Sequence, residues 1–440
     1  MHAHGVNRRL PAFCAASARA GQAVGSALGR VGGTGVPRAT VWLGLASALV
    51  LVAGGCERSG GCARQSSESP GVHAESGAPA WEVQAASDWP VFHGDTRHTG
   101  QSRFRGPRSP RVAWTYQIEG AVGPLALGSG GSLLVGGPER AAMYCVSPSG
   151  DLNWRADQTG YLQGCPAIAP DGTVYLAPWD ENAPDNAPGV LFAVDNAGKR
   201  RWTATTPSTV AAGIVAGPDG TIYLATWNGT LLALNPDGTE RWATKAGLHA
   251  SSTPAIGDDG TLYVGTIERG YIGSLCAFRP DGAMRWRTEF GGAAMSAPCI
   301  DAGGTIVISC QDGLVYGVGR DGSVMWRTAV DGPLFSSVAV GADGRFFVGT
   351  EDGAVVCLAP DGALLWRFDT AEPVRSSPAV DCNGVVYFGC HSGCLYAVSP
   401  EGEQVWRMKT NGEAGTSPII GGDGLAYAGC AGGTVYCIKD

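Results

Sequence analysis

The chain has 440 residues, of which 68 are glycine and 27 are proline, and its formal net charge is −8. Charged residues make up 16%, well below the usual share of roughly a quarter, and glycine is about twice as frequent as in an average protein. These values argue against helical bundles and coiled coils, which need uninterrupted helix formers. The 44% hydrophobic content argues against a disordered chain. The acidic balance disfavours binding to nucleic-acid phosphates.

The N-terminal region has the pattern of a targeting segment. Val41–Ala53 is an uncharged apolar run of 13 residues, too short for an ordinary transmembrane helix and typical of a signal peptide. It is followed by Gly54, Gly55 and Cys56, which resembles the lipobox of bacterial lipoproteins. This resemblance implies that Cys56 carries the lipid and that residues 1–55 are removed. The alternative is an ordinary signal peptide in which Cys56 has no special role.

Residues 56–87 are rich in Ser, Gly, Ala and Glu, and they predict a flexible tether. Glu57 follows the lipobox cysteine, where an aspartate would retain a lipoprotein in the inner membrane. We therefore expect a lipid-anchored protein of the bacterial cell envelope, held at the outer membrane and facing the periplasm or the cell surface. The sequence leaves the membrane and the leaflet open.

One tryptophan recurs about every 40 residues from residue 114 to the end of the chain. A period near 40 with four short strand signals per unit is typical of a propeller blade. In the unit that ends at Arg407, we predict strands at Pro378–Val380, Val385–Cys390, Leu395–Val398 and Gln404–Met408, joined by glycine turns. The eight repeat tryptophans are Trp114, Trp154, Trp202, Trp242, Trp286, Trp326, Trp366 and Trp406.

The order of the strand signals predicts how the ring closes. After Trp406 the chain has three more strand signals and no further tryptophan strand, whereas Val112–Ile118 is a tryptophan strand with no strands before it. The N-terminal strand can therefore complete the last blade, which gives an all-β, eight-bladed propeller of four-stranded antiparallel blades over residues 111–440. Seven blades and a spare strand would leave an unpaired edge.

The repeat resembles the pyrroloquinoline-quinone (PQQ) type of β-propeller unit, in which a glycine stands four residues before the tryptophan. It occurs as AVDNAGKRRW at 193–202, ALNPDGTERW at 233–242 and CLAPDGALLW at 357–366. Residues 88–110, which begin with the sequence DWPVFHGD, resemble the N-terminal signature that precedes such propellers in bacterial envelope proteins. The resemblance covers residues 88–440 and implies the fold more strongly than an activity.

Quinoprotein dehydrogenases share this repeat, and the resemblance would imply PQQ, a Ca²⁺ ion, a catalytic aspartate and a disulfide between adjacent cysteines. No Cys-Cys dipeptide exists in the chain. Ca²⁺ requires six to eight oxygen ligands, generally with carboxylates among them. We therefore expect no catalytic residue, metal or cofactor, and we interpret the hydroxyls near the axis as packing groups. No acidic residue occurs in the eight predicted innermost strands, at 121–127, 163–169, 211–217, 251–256, 295–300, 335–340, 375–380 and 415–420.

Loop lengths indicate a candidate partner face. The second and third strands of a blade are joined by longer segments in blade 2 (177–189) and blade 4 (266–273). These connections lie at the same end of the ring as the links between blades. The alternative is a tolerated surface insertion. The candidate contact residues are Trp179, Asp180, Glu181, His249 and Arg375; the last two could also mark a channel mouth that recruits an anion.

Six of the 14 cysteines stand where sister repeats have alanine, glycine or threonine, which indicates small core residues: Cys145, Cys310, Cys357, Cys390, Cys430 and Cys437. Cys390 and Cys394 flank one tight turn, so they are either two free thiols or a disulfide.

Our leading hypothesis is a non-catalytic envelope lipoprotein whose monomeric propeller binds a protein partner and touches the membrane only through its lipid. One alternative resembles the propeller lipoprotein of the outer-membrane β-barrel assembly machinery. The other is a PQQ-dependent quinoprotein dehydrogenase.

Overall fold

A computed structural model of the chain describes residues 88–440 except 138–141, 159, 180–183, 185 and 423. The described part is almost entirely β-structure, with short 3₁₀ turns at Ser129–Gly131 and Arg269–Tyr271. In chain order the strands are β1 (Arg111–Gln117), β2 (Leu125–Leu127), β3 (Leu133–Gly137), β4 (Ala142–Val146), β5 (Leu152–Asp157), β6 (Ala167–Ile168), β7 (Val174–Leu176), β8 (Gly189–Val194), β9 (Arg200–Thr206), β10 (Ile214–Ala216), β11 (Ile222–Ala225), β12 (Thr230–Leu234), β13 (Glu240–Lys245), β14 (Ala255–Ile256), β15 (Leu262–Ile267), β16 (Gly273–Phe278), β17 (Met284–Phe290), β18 (Cys299–Ile300), β19 (Ile306–Ser309), β20 (Leu314–Val318), β21 (Val324–Ala329), β22 (Ala339–Val340), β23 (Phe346–Gly349), β24 (Ala354–Leu358), β25 (Leu364–Asp369), β26 (Ala379–Val380), β27 (Val386–Cys390), β28 (Cys394–Val398), β29 (Gln404–Lys409), β30 (Ile419–Ile420), β31 (Ala426–Gly429) and β32 (Thr434–Lys439).

Within the described residues these strands form eight antiparallel sheets of four strands each, arranged as an eight-bladed β-propeller. Blades 1 to 7 are β2–β5, β6–β9, β10–β13, β14–β17, β18–β21, β22–β25 and β26–β29. Each blade runs from a short inner strand A through B and C to an outer strand D. Strands B and C are buried because neighbouring blades cover both faces, whereas strand D alternates between exposed and half-buried residues. The predicted fold class is confirmed.

Blade 8 combines the two ends of the propeller region. Its sheet has the order β1-β32-β31-β30, and β1 pairs antiparallel with β32 from Arg111 opposite Lys439 to Gln117 opposite Thr434. Before β1, the backbone N–H of Ser109 donates to the Asp440 carboxylate at 3.1 Å. The ring therefore closes by the predicted N-terminal strand, and no sheet edge of blade 8 is left open at β32.

The repeat tryptophans lie between blades. Seven of the eight indoles, all but Trp406, pack against the glycine of the C–D turn in the next blade, so closely that a Cβ on Gly198 would lie 2.7 Å from the Trp154 ring. The Trp154 Nε1–H also donates to the Asn196 carbonyl of that turn at 2.8 Å. Equivalent bonds form at Trp114, Trp202, Trp242, Trp286, Trp366 and Trp406. The Trp326 ring docks on Gly362 in the same way, but among the described atoms its Nε1–H has no acceptor.

Residues 89–104 cross one end of the ring and cap it. Their carbonyl groups accept hydrogen bonds from the last backbone N–H of inner strands in six blades, and the Ser102 hydroxyl donates to Ile420 of blade 8 at 3.2 Å. Because these strands surround the axis, the segment covers the end of the ring at which strands A and B are joined. The six bonded donors are Leu127, Ile168, Ile256, Ile300, Val340 and Val380.

Candidate functional site

The inner strands are joined around the axis by side-chain hydroxyls. The Oγ of Ser337 accepts the backbone N–H of Ala297 at 3.0 Å, and the Oγ of Ser377 accepts that of Ser337 at 2.9 Å. Ser417 continues the series by accepting from Ser377 at 2.9 Å, and Thr253 makes the same bond to Gly213. Each hydroxyl thus satisfies an amide of the preceding blade. These hydroxyls hold neighbouring blades together, because each oxygen accepts its hydrogen bond from the backbone of the adjacent blade.

The axis does not fit a Ca²⁺-bound quinone. In the part of the chain that the structure describes, no group of three or more His, Cys, Asp or Glu side chains could hold a metal ion. Most hydroxyls nearest the axis are engaged with backbone groups, and Ser251 Oγ is the one that has no hydrogen-bond partner among the described atoms. A hard cation needs several carboxylate or carbonyl oxygens converging on one point. The inner strands supply almost only apolar residues, and the segments that lead into them supply serine and threonine.

The end of the ring opposite the cap carries the B–C turns and the links from strand D to the next strand A; we call it the open face. Trp179 lies here, in the B–C connection of blade 2. Its backbone forms a two-bond bridge with Tyr161 of the preceding link, at 2.6 and 2.7 Å. Both side chains are half-buried. The other candidates from this loop, Asp180 and Glu181, lie outside the described residues.

His249 is fixed on the open face between blades 3 and 4. Its backbone bridges Ile267 at 2.9 and 3.1 Å, and its Nδ1–H donates to the carbonyl of Trp227 at 3.1 Å. The Trp227 and His249 rings lie 4.8 Å apart, centroid to centroid. The preceding residue, Leu248, is 43% exposed. This arrangement holds two aromatic rings and an exposed leucine on a rigid backbone.

The B–C connection of blade 4 extends the same surface. Glu268 N–H donates to the Ile272 carbonyl at 2.6 Å, which closes a tight loop. Within the loop Tyr271 has a φ of 67°, a left-handed conformation that costs free energy for a side chain of this size, and Ile272 is 39% exposed. We call Trp227, Leu248, His249, Tyr271 and Ile272 the blade 4 patch.

Arg375 also lies on the open face, in the link that leads into blade 7. Its Nε donates to Glu351 Oε2 at 2.7 Å, its Nη2 bonds to the other carboxylate oxygen, and its guanidinium lies 5.2 Å from the Phe335 ring. The guanidinium is thus neutralised by a carboxylate of the neighbouring blade. This geometry does not support the expectation that Arg375 recruits an anion.

The three described candidates, Trp179, His249 and Arg375, therefore share one face but belong to separate blades and do not form one cluster. Sequence reasoning missed Trp227 and Tyr271. Trp227 is outside the 40-residue tryptophan series, and this additional tryptophan is a signal that could have been used. Tyr271 had no such signal, because its importance lies in a backbone conformation.

The eight four-stranded blades and the docked tryptophans define a PQQ-type β-propeller. The chain belongs to the family described as outer membrane protein assembly factor BamB, which matches residues 187–272, 236–318 and 311–440. No curated protein matches the chain in sequence.

Three solved structures show the same fold. BamB from Moraxella catarrhalis is 18% identical, with a TM-score of 0.59 over 76% of this chain and 98% of that one. A europium-containing methanol dehydrogenase is 14% identical, with a TM-score of 0.66 over 81% and 99%. The quinohemoprotein alcohol dehydrogenase of Comamonas testosteroni is 14% identical, with a TM-score of 0.64 over 80% of each chain. Such low identities establish the fold alone.

Cys56, the candidate lipidation site, lies outside the described residues. Within the described ranges, no helix has the length and apolar character needed to cross a membrane.

Proposed function

We propose that this chain is a non-catalytic scaffold that binds a protein partner through its open face. The observation that carries the proposal is the blade 4 patch, where half-buried aromatic rings adjoin two exposed aliphatic side chains. Rigid aromatic anchors beside exposed apolar groups are typical of protein interfaces. The cap covers the other end of the ring, and most hydroxyls around the axis form hydrogen bonds with backbone groups.

We further propose that the protein is monomeric and reaches the envelope through a lipid on Cys56, with residues 56–87 as the tether. The bacterial outer membrane is the location that this anchor and the family favour. A role in outer-membrane protein assembly is supported by the family match, because the family is described by that activity. We propose no quinoprotein activity, since the inner strands supply no carboxylate and most hydroxyls beside them bond to backbone groups.

Co-purification from detergent-solubilised envelopes tests the proposal. The wild-type chain should retain the core protein of the barrel-assembly machinery, and a Trp227→Ala, Leu248→Ala double variant should lose it. Met325→Ala is the matched control, because Met325 is 62% exposed on the outer strand of blade 5, away from the open face. Equal retention by all three chains would contradict the proposed surface.

A separate incubation with PQQ and Ca²⁺ tests the non-catalytic assignment. We expect no stoichiometric binding and no dye reduction. Tight binding with dye reduction would overturn it.

A further inference from the structure

Two cysteines face each other across the B–C hairpin of blade 7. Cys390, the last residue of β27, is paired with Cys394, the first residue of β28. The turn between them is closed by the Gly393 N–H, which donates to the Cys390 carbonyl at 3.0 Å. Residues paired across antiparallel strands have Cα atoms roughly 4.5–5.5 Å apart, within the range that a disulfide spans. Both thiols are free in the structure.

The two sulfur atoms share polar neighbours. The Ser392 hydroxyl lies 2.8 Å from Cys390 Sγ and also hydrogen-bonds to Cys394. The Arg407 guanidinium directs two N–H groups at Cys394 Sγ, at 3.2 Å from Nε and 3.1 Å from Nη2. A guanidinium in this position favours the thiolate, which is the nucleophilic form of cysteine.

The surroundings of Cys394 lower the pKa of its thiol, whereas those of Cys310 and Cys357 raise it. Burial raises the pKa of its thiol, but the bonds from Ser392 and Arg407 and the positive charges of Arg407 and Lys409 outweigh burial, so the pKa lies below its usual value. Burial raises the pKa of Cys310 and Cys357 to about 12.

The sister hairpins show that this pair is particular to blade 7. The position of Cys390 is also a cysteine in blades 5 and 8, at Cys310 and Cys430, but the residues opposite are Leu314 and Thr434. Among the hairpins that the structure describes, only the one in blade 7 thus has a thiol on both strands.

We propose that Cys390 and Cys394 form a redox-active dithiol that exchanges with disulfides of small thiols or of a protein bound at the open face. Cys394 thiolate attacks one sulfur of the substrate disulfide, whose S–S bond breaks to release the first thiolate. The Cys390 thiol then loses its proton to solvent and attacks Cys394 Sγ. The Cys390–Cys394 bond forms and the second thiolate leaves, so two electrons pass from the dithiol to the substrate.

Disulfide exchange at Cys394 requires access to its sulfur. The residue is 1% exposed, and the group lying on its sulfur is Arg407, an exposed residue of the outer strand. We expect rotation of this exposed arginine side chain to give a disulfide access to the sulfur.

Thiol mapping of the reduced, purified full chain tests the proposal. After incubation with oxidised glutathione and alkylation, we expect a Cys390–Cys394 disulfide, while Cys310 and Cys430 remain alkylated. Cys382 is exposed and lies on the same proteolytic peptide as Cys390 and Cys394. Fragmentation of that peptide must therefore show that the disulfide joins Cys390 to Cys394 and does not involve Cys382. A Cys390→Ser variant should accumulate glutathione on Cys394, because the second step is removed. Unchanged, fully alkylated Cys390 and Cys394 in the oxidised wild-type chain would overturn the proposal.

A matched pair of arginine variants tests the role of the guanidinium. Arg407→Gln should raise the pH at which Cys394 becomes reactive towards alkylation, because the guanidinium that favours the thiolate is lost, whereas Arg327→Gln, at the same strand position in blade 5, should leave that pH unchanged. If Cys394 of the folded wild-type chain reacts no faster than Cys310, the proposal fails whether or not the variants fold.

Discussion

The indole N–H of Trp406 donates to the carbonyl of Pro107 at 2.8 Å, although 299 residues separate them in sequence. In blade 6 the equivalent bond runs from Trp366 to Pro400, which belongs to the C–D turn of blade 7. Blade 8 has no such turn, because its strands C and D come from opposite ends of the propeller region. Pro107 takes the place of the turn, so the segment before β1 completes the tryptophan-docking pattern of the ring.

The docking bond predicts a difference between two otherwise similar tryptophans. Trp366→Phe removes the hydrogen bond to Pro400, whereas Trp326→Phe removes an N–H that has no acceptor among the described atoms. Trp366→Phe should therefore destabilise the protein by about 1 kcal/mol more than Trp326→Phe. Urea unfolding of both variants measures the difference. Equal losses would show that the indole N–H contributes nothing to docking.

The N-terminal segment should be stabilised by one buried ion pair. Arg108 Nη1 lies 2.9 Å from Asp381 Oδ2, and the aspartate side chain is 0% exposed. Arg108→Ala leaves that buried carboxylate without its cation and should cost about 1–3 kcal/mol. Arg103→Ala, which breaks an exposed ion pair with Asp88, should cost about 0–1 kcal/mol. Thermal unfolding should rank the two variants in this order, and the reverse order would contradict the closure described above.

Stability should depend on pH through two histidines of the cap. Burial lowers the pKa of His93 from 6.5 to about 4 and that of His98 to about 3. Below pH 6.5 the unfolded chain therefore binds more protons than the folded chain, and stability falls as the pH drops towards these values. His98→Asn, which tolerates the left-handed backbone at this position, should reduce the loss between pH 7 and 4.5 by about 2 kcal/mol. If the stability of His98→Asn depended on pH as the wild-type stability does, His98 would not be a source of the pH dependence.

The hydroxyls around the axis should prove structural. Ser377→Ala removes the acceptor of the Ser337 N–H and leaves a buried amide without a partner, at a cost of about 1–3 kcal/mol. Ser323→Ala, in an exposed C–D turn, should change stability by less than about 0.5 kcal/mol. Chemical denaturation provides the comparison. Similar stabilities for the two variants would reopen a ligand-binding role for the axial hydroxyls.

The blades could be predicted from sequence because each tryptophan and each turn glycine has a local physical requirement. A glycine such as Gly198 must accept the Trp154 ring at a distance that excludes a Cβ, so the pair recurs at fixed spacing. The closing strand followed from counting strands, and its pairing with β32 is confirmed.

The cap could not be predicted in the same way. Its carbonyl groups bind backbone N–H groups of inner strands, and every residue except proline offers such a donor, so no side-chain pattern marks the contact. Arg375 illustrates a similar limit. Its sequence position suggested a free cation, but its partner Glu351 lies in another blade and is brought near only by the fold.

Site-specific photo-crosslinking tests the central claim most directly. A photoreactive amino acid at Leu248 in the blade 4 patch, introduced into the chain in living cells, should form a discrete adduct with the core protein of the barrel-assembly machinery. The same group at Met325, on the outer strand of blade 5, should form none, and Trp227→Ala should abolish the adduct at position 248. No adduct at 248, or equal adducts at 248 and 325, would contradict a partner-binding open face.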